Sequence, residues 1–82
     1  MKETKVNDLS KRITIRDDVF GGKPIIRNKR ISAETILEFL AAGEKEEEIL
    51  HQYPTLEKED ILACLQFATL LMKRKFIIQD VA

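Results

Sequence analysis

The chain has 82 residues, of which 44% are hydrophobic and 34% charged, and its 14 Lys and Arg residues balance its 14 Asp and Glu residues. This length predicts one small soluble domain, and a chain this short buries only about 60% of the surface that it exposes when unfolded, which argues against a deep enzyme cleft. The zero net charge is the sum of +5 over residues 1–31, −7 over residues 32–63 and +2 over residues 64–82, which argues against a uniformly basic protein that coats nucleic acid.

The first predicted elements form a small β-hairpin. Residues 1–11 lack periodicity and are expected to be a loosely held arm. Residues 12–16 alternate polar and apolar side chains, which predicts a short half-buried strand. The glycines at 21–22 indicate a turn, because glycine readily adopts positive φ, and residues 23–27 follow as a second strand. A second tight turn is expected at residues 28–29, where asparagine tolerates the left-handed region.

Two helices are predicted next. Ser32 is a good N-cap, since its hydroxyl can accept a hydrogen bond from a free N–H of the first turn, and Gly43 suits the position that ends a helix. An apolar stripe with helical spacing lies between them: Ala33, Ile36, Leu37, Leu40 and Ala41. A short second helix is expected over residues 46–53, and Pro54 ends it because the residue before a proline disfavours helical geometry.

The third predicted helix begins near Glu57 or Lys58 and runs to about Arg74. Its expected core face comprises Ile61, Cys64, Leu65, Ala68 and Met72. Four further apolar residues lie off that face: Leu62, Phe67, Leu70 and Leu71. A helix that is apolar nearly all round is buried on more than one side, so we expect a second copy of the chain to cover these four residues in a homodimer.

The chain is therefore expected to have three parts: a flexible N-terminal arm (1–11), a single domain (12–75) and a C-terminal tail (76–82). The tail is apolar enough either to pair as a strand or to pack on a partner. A hairpin followed by three helices, with a turn between the second and third, is typical of a helix-turn-helix core. The sequence predicts a mainly α fold with a short N-terminal β-hairpin.

A specific combination of five segments appears along the chain: GGKPIIRNKRI (21–31), ILEFL (36–40), EEIL (47–50), YPTL (53–56) and EDI (59–61). Over about residues 13–72 the chain resembles the domain-of-unknown-function family 433. The resemblance implies a homeodomain-like or winged-helix-type fold and a prokaryotic source. It also implies the role of antitoxin in a type II toxin–antitoxin pair whose toxin is a PIN-like nuclease.

The chain departs from the family pattern at two places. Asn28 and Lys29 stand where glycine and threonine are usual; asparagine keeps a turn feasible, and lysine adds a positive charge. Glu57 stands where a threonine or serine cap is usual. This change predicts a weaker cap and a more acidic start for the third helix.

Any DNA contact is expected on the hairpin rather than on the third helix. Three carboxylates, those of Glu57, Glu59 and Asp60, stand where a recognition helix would approach phosphates. The predicted DNA-binding residues are instead basic residues of the hairpin, with Lys11 beside them: Arg12, Arg16, Lys23, Arg27, Lys29 and Arg30. The alternative is a solvated basic edge that discourages pairing between strands of different molecules.

Toxin binding is expected at the end of the third helix and the start of the tail. The predicted residues are Lys73, Arg74, Lys75, Phe76 and Ile77. Their cations either compensate the C-terminal dipole of the helix or reach the carboxylate cluster of a metal-dependent nuclease. The acidic residues 44–48 are similarly either a solvated helix face or a docking surface for a basic partner.

The sequence offers no catalytic or metal-binding constellation. The single cysteine, Cys64, lies in an apolar run, and the single histidine, His51, lies beside Gln52 on a short helix. No enzyme activity, cofactor or metal is therefore predicted. The chain has neither an apolar run long enough to cross a membrane nor the start of a signal peptide, so a cytoplasmic location is expected.

These observations favour a small cytoplasmic homodimeric antitoxin. It would bind a PIN-like toxin and regulate its own operon by binding operator DNA. The alternative is a protein-interaction or assembly module without nucleic-acid function, which would use the acidic face and the long third helix.

Overall fold

A computed structural model describes residues 9–27 and 29–73 of the chain. It has a short two-stranded antiparallel hairpin followed by three helices, which confirms the predicted fold class. Several predictions lie outside the described residues: residues 1–8 of the arm, the turn at Asn28, and everything from Arg74 to the C-terminus. The described end of the expected arm, Leu9–Arg12, forms a 3-10 helix that packs against the third α-helix.

The hairpin consists of strands β1 (Ile13–Ile15) and β2 (Pro24–Ile26). Ile13 pairs with Ile26 and Ile15 with Pro24, so the proline stands at the start of its strand, where the missing N–H costs little. The connection contains Gly21 at φ 63°. Both strands are shorter than the predicted five-residue stretches: Arg12 ends the 3-10 helix instead of opening β1, and Arg27 leaves β2 at φ 38°.

The three helices are α1 (Ala33–Ala41), α2 (Glu46–Gln52) and α3 (Lys58–Met72). The predicted cap of α1 is confirmed, since Ser32 Oγ accepts a hydrogen bond of 3.1 Å from the backbone N–H of Thr35.

Gly43, at φ 95°, ends α1 as predicted. Its N–H donates to the carbonyl of Leu40 and that of Glu44 donates to the carbonyl of Phe39, each at 3.0 Å. These two bonds make a Schellman motif, which satisfies carbonyls that the end of a helix leaves without partners.

The core lies between the hairpin and the three helices. Its buried members are Ile26, Ala33, Ile36, Ile49, Leu56, Ile61 and Cys64. The predicted core face of α3 is wrong in two places, because Leu65 and Met72 are 43% and 70% exposed. Every fully buried residue of α3 lies between Asp60 and Cys64, so within the described part of the chain only the first half of this helix is fully covered.

Candidate functional site

One carboxylate, that of Asp60, is fully buried at the start of α3 and binds two arginines of the hairpin region. Arg27 donates from Nε to Oδ1 at 2.8 Å and from Nη2 to Oδ2 at 2.7 Å. Arg12 donates from Nη1 to Oδ1 at 3.0 Å, and the backbone N–H of Glu57 donates to Oδ2 at 2.8 Å. Four hydrogen bonds thus hold one side chain, and the three from arginines join α3 to the residue before β1 and the residue after β2.

The electrostatics of this cluster keep Asp60 ionised. Burial raises the pKa of Asp60, but the hydrogen bonds from Arg27, the Glu57 backbone and Arg12, with the charge of Arg27, lower it from 3.8 to about 2. The same hydrogen bonds raise the pKa of both arginines. The cluster of Asp60, Arg12 and Arg27 is therefore fully charged at neutral pH, and its ion pairs hold the hairpin against α3.

Glu57 has a second role in the same cluster. Its Oε1 accepts a hydrogen bond of 2.9 Å from Arg12 Nη1, while its backbone N–H is bound by the side chain of Asp60 three residues later. Asp60 thus supplies the returning arm of a capping box. Arg12 and Arg27 thus partly neutralise the negative charge at the start of α3.

The structure divides the six predicted DNA-binding residues into two groups. Four are held in ion pairs: Arg12 and Arg27 with Asp60, Arg16 with Asp18 at 3.0 Å, and Lys23 with Glu34 at 2.9 Å. The other two, Lys29 and Arg30, make no ion pair with any residue that the structure describes, and the same holds for Lys11.

From Leu62 to its end, α3 exposes large apolar side chains to solvent. Three predicted dimer residues, Leu62, Leu70 and Leu71, are 39%, 46% and 40% exposed, while Phe67 is half-buried. Leu65 and Met72 add to this surface, and their spacing places them on the same side of the helix as Leu62. At about 100° per residue Leu71 lies opposite Leu62, so the exposed apolar side chains surround the helix rather than form one stripe. We call Leu62, Leu65, Leu70, Leu71 and Met72 together the α3 apolar surface.

The α3 apolar surface lies in an uncharged stretch. From Ile61 to Met72 the helix has no Asp, Glu, Lys or Arg, although 34% of the whole chain is charged. The uncharged stretch ends at Lys73, an exposed predicted toxin-binding residue; the other predicted toxin-binding residues, Arg74, Lys75, Phe76 and Ile77, lie outside the described residues.

One protein family matches the sequence over the hairpin and the three helices. The model of DUF433, described as a protein of unknown function, matches residues 13–68, from β1 into the second half of α3. The chain belongs to the DUF433 family.

A crystal structure at 2.00 Å resolution of a DUF433 member protein from Anabaena variabilis ATCC 29413 is similar, with a TM-score of 0.71 and 34% sequence identity. The match covers 79% of this chain and 64% of that one, so this chain spans less than two thirds of its relative's length. No curated protein gives a significant match to the sequence.

The single cysteine and the single histidine of this DUF433 protein lie in different surroundings. Cys64 is buried, and burial, with the nearby charge of Asp60, raises the pKa of its thiol to about 12. His51 is exposed on α2. Across residues 9–27 and 29–73, no three His, Cys, Asp or Glu side chains lie together as metal ligands would. None of the described helices is long and apolar enough to cross a membrane.

Sequence reasoning assigned Asp60 to the start of a helix and missed its burial between two arginines. The available signal was the spacing of Glu57 and Asp60, which places an acceptor side chain where a capping box needs one. That spacing gives no indication of the arginines, because they lie 33 and 48 residues away in the DUF433 sequence.

Proposed function

We propose that this DUF433 protein acts by binding other macromolecules rather than by catalysis, as the antitoxin of a toxin–antitoxin pair that neutralises a PIN-like nuclease by direct contact. The observation that supports binding is the α3 apolar surface, which five large side chains expose to solvent. Several large apolar side chains exposed on one helix of a small domain favour association with another protein.

The proposed occupant of the α3 apolar surface is a second copy of the chain. A twofold interface brings the same helix from both copies together, so the helix surface must be complementary to itself. The uncharged stretch from Ile61 to Met72 meets this requirement, because two such helices bury no charge when they pack. A heavily charged toxin surface would fit the same stretch less well.

The nuclease would bind elsewhere on the dimer, at the basic segment of the sequence that begins with Lys73, directly after α3. Co-expression with the product of the adjoining gene, followed by a pull-down and a nuclease assay, tests this role. We expect co-purification and loss of nuclease activity, with weaker inhibition by Lys73→Ala than by the control Lys58→Ala at the opposite end of α3. A PIN-like neighbour that neither binds nor is inhibited would contradict the antitoxin proposal.

A second proposed activity is operator binding through the hairpin edge. Its support is the set of exposed or half-exposed cations without described ion-pair partners, Lys11, Lys29 and Arg30. Arg27 is a poor choice for testing this idea, because its replacement also breaks the contact with Asp60 and perturbs the fold. The informative variant is the double change Lys29→Glu with Arg30→Glu.

Fluorescence anisotropy on promoter DNA of the protein's own operon measures this activity. We expect the double variant to bind more weakly, and the salt dependence of its binding to correspond to about two fewer phosphate contacts per subunit. Lys58→Glu, on the acidic start of α3, serves as the control and should bind like the wild type. Equal loss in both variants would contradict binding by the hairpin, and absence of any DNA binding would favour an interaction module without nucleic-acid function.

A further inference from the structure

An open groove of about 440 Å³ lies between the β1–β2 connection and α1, away from the Asp60 cluster and the α3 apolar surface. Its walls combine one aromatic ring, one ammonium, two hydroxyls and two carboxylates. The residues that line it are Phe20, Lys23, Ser32, Glu34, Thr35 and Glu38.

Phe20 forms the aromatic wall of the groove. It is 50% exposed, although aromatic side chains contribute most to stability when they are buried. Its φ is 51°, in the left-handed region that residues with a β-carbon rarely adopt, and Gly21 continues in the same region at 63°. The preceding residue, Val19, is buried and anchors the turn, so the ring is held in solvent at the mouth of the groove.

The charges in the groove do not balance. Lys23 Nζ pairs with Glu34 Oε1 at 2.9 Å, and this hydrogen bond, with a smaller contribution from the charge of Glu38, raises the pKa of Lys23. Glu38 is exposed and makes no ion pair with another described residue. Two carboxylates therefore face one ammonium, and the groove carries a net charge of −1.

The position of Glu38 determines whether the groove favours a cationic or an anionic ligand. The N-terminus of α1, at Ser32, favours anions, but this dipole effect falls off within the first turn, and Glu34 already offsets it there. Glu38 lies in the second turn, on the same side of the helix as Glu34. Glu38 thus keeps a negative charge in the groove that the helix N-terminus does not offset, and the half-exposed ring of Phe20 lines the same groove.

We propose that this groove binds an arginine side chain of a partner protein. The guanidinium plane would stack on the Phe20 ring and donate to the carboxylate of Glu38, a combination that arginine satisfies better than lysine because its cation is planar and forked. This site does not rest on the antitoxin proposal, because no residue of the groove belongs to the α3 apolar surface or to the predicted toxin-binding segment.

Nuclear magnetic resonance titration of the whole chain with Nα-acetyl-arginine methylamide tests the site, with the neutral citrulline analogue as a matched ligand control. We expect saturable shifts of the Phe20, Thr35 and Glu38 amides with the arginine probe, and weaker effects with citrulline and with inorganic phosphate. Glu38→Gln should weaken arginine binding about two- to fivefold, the range of an exposed cation–π or ion-pair contact. Glu47→Gln removes the same charge from an exposed position of α2 and should leave binding unchanged.

Phe20→Asn tests the ring separately, since asparagine tolerates the left-handed φ and the turn should persist. We expect this variant to retain the wild-type spectrum outside the groove and to weaken arginine binding by a similar factor. Equal shifts with citrulline, tighter binding of phosphate, or equal affinities in the Glu38→Gln and Glu47→Gln variants would each overturn the proposal.

Discussion

Replacing Asp60 with asparagine tests how strongly the buried cluster joins the hairpin to α3. The side chain keeps its size but loses the charge that Arg12 and Arg27 bind. The lowering of its pKa from 3.8 to about 2 corresponds to about 2 kcal/mol of folding free energy. Removal of one partner from a fully buried ion pair costs about 3–5 kcal/mol. Because both arginine side chains keep nearly a third of their surface in water, at 28% and 31%, we expect a loss of about 2–3 kcal/mol at pH 7.

The pH dependence of this loss follows from the direction of the pKa shift. The folded protein holds the carboxylate at a lower pKa than the unfolded chain does, so its stabilisation is complete above the unfolded pKa of 3.8 and disappears as the pH falls through about 2. The difference in free energy of unfolding between wild type and Asp60→Asn should therefore shrink between pH 5 and pH 2.

Urea denaturation followed by circular dichroism measures this difference, if it is repeated at several pH values in that interval. The matched control is Glu59→Gln, which removes a charge from an exposed position in the same turn and should cost less than about 1 kcal/mol. Equal losses for Asp60→Asn and Glu59→Gln at pH 7, or a loss for Asp60→Asn that does not change between pH 5 and pH 2, would refute the reasoning.

Three further predictions follow from local geometry. Ser32→Ala removes the hydrogen bond to the Thr35 N–H and should lower the free energy of unfolding by about 1 kcal/mol, as measured by urea denaturation; an unchanged midpoint would contradict the cap. Gly43→Ala places a β-carbon at φ 95° and should cost about 1–2 kcal/mol in the same assay, although the space around it is open. The thiol of Cys64, buried and with a raised pKa, should react with an aromatic disulfide reagent only as fast as the protein opens; rapid labelling under native conditions would contradict its burial.

Local signals in the sequence predicted most of the fold. Ser32 and Gly43 mark the ends of α1 because capping and positive φ depend on a few neighbouring residues. Periodicity identified α3 but assigned Leu65 and Met72 to the core, because a periodic pattern shows which residues share a face and not how far the other elements cover it.

The candidate sites were harder to predict because they depend on contacts between distant segments. The acidic start of α3 was interpreted from its neighbours alone, whereas Arg12 and Arg27 reach Asp60 from 48 and 33 residues away. Likewise, adjacent glycines predicted a turn after β1, but nothing in the sequence indicated that Phe20 also adopts a positive φ and stands exposed beside α1.

The central claim, that the α3 apolar surface is an interface between two copies, is tested most directly by sedimentation equilibrium of the whole chain over a range of concentrations. The account predicts a dimeric mass for the wild type and a monomeric mass for Leu65→Glu, which places a charge in the surface without disturbing the core because Leu65 is 43% exposed. Glu59→Gln, at an exposed position six residues earlier on the same helix, should remain dimeric. A monomeric wild type at every concentration, or a dimeric Leu65→Glu variant, would contradict the claim.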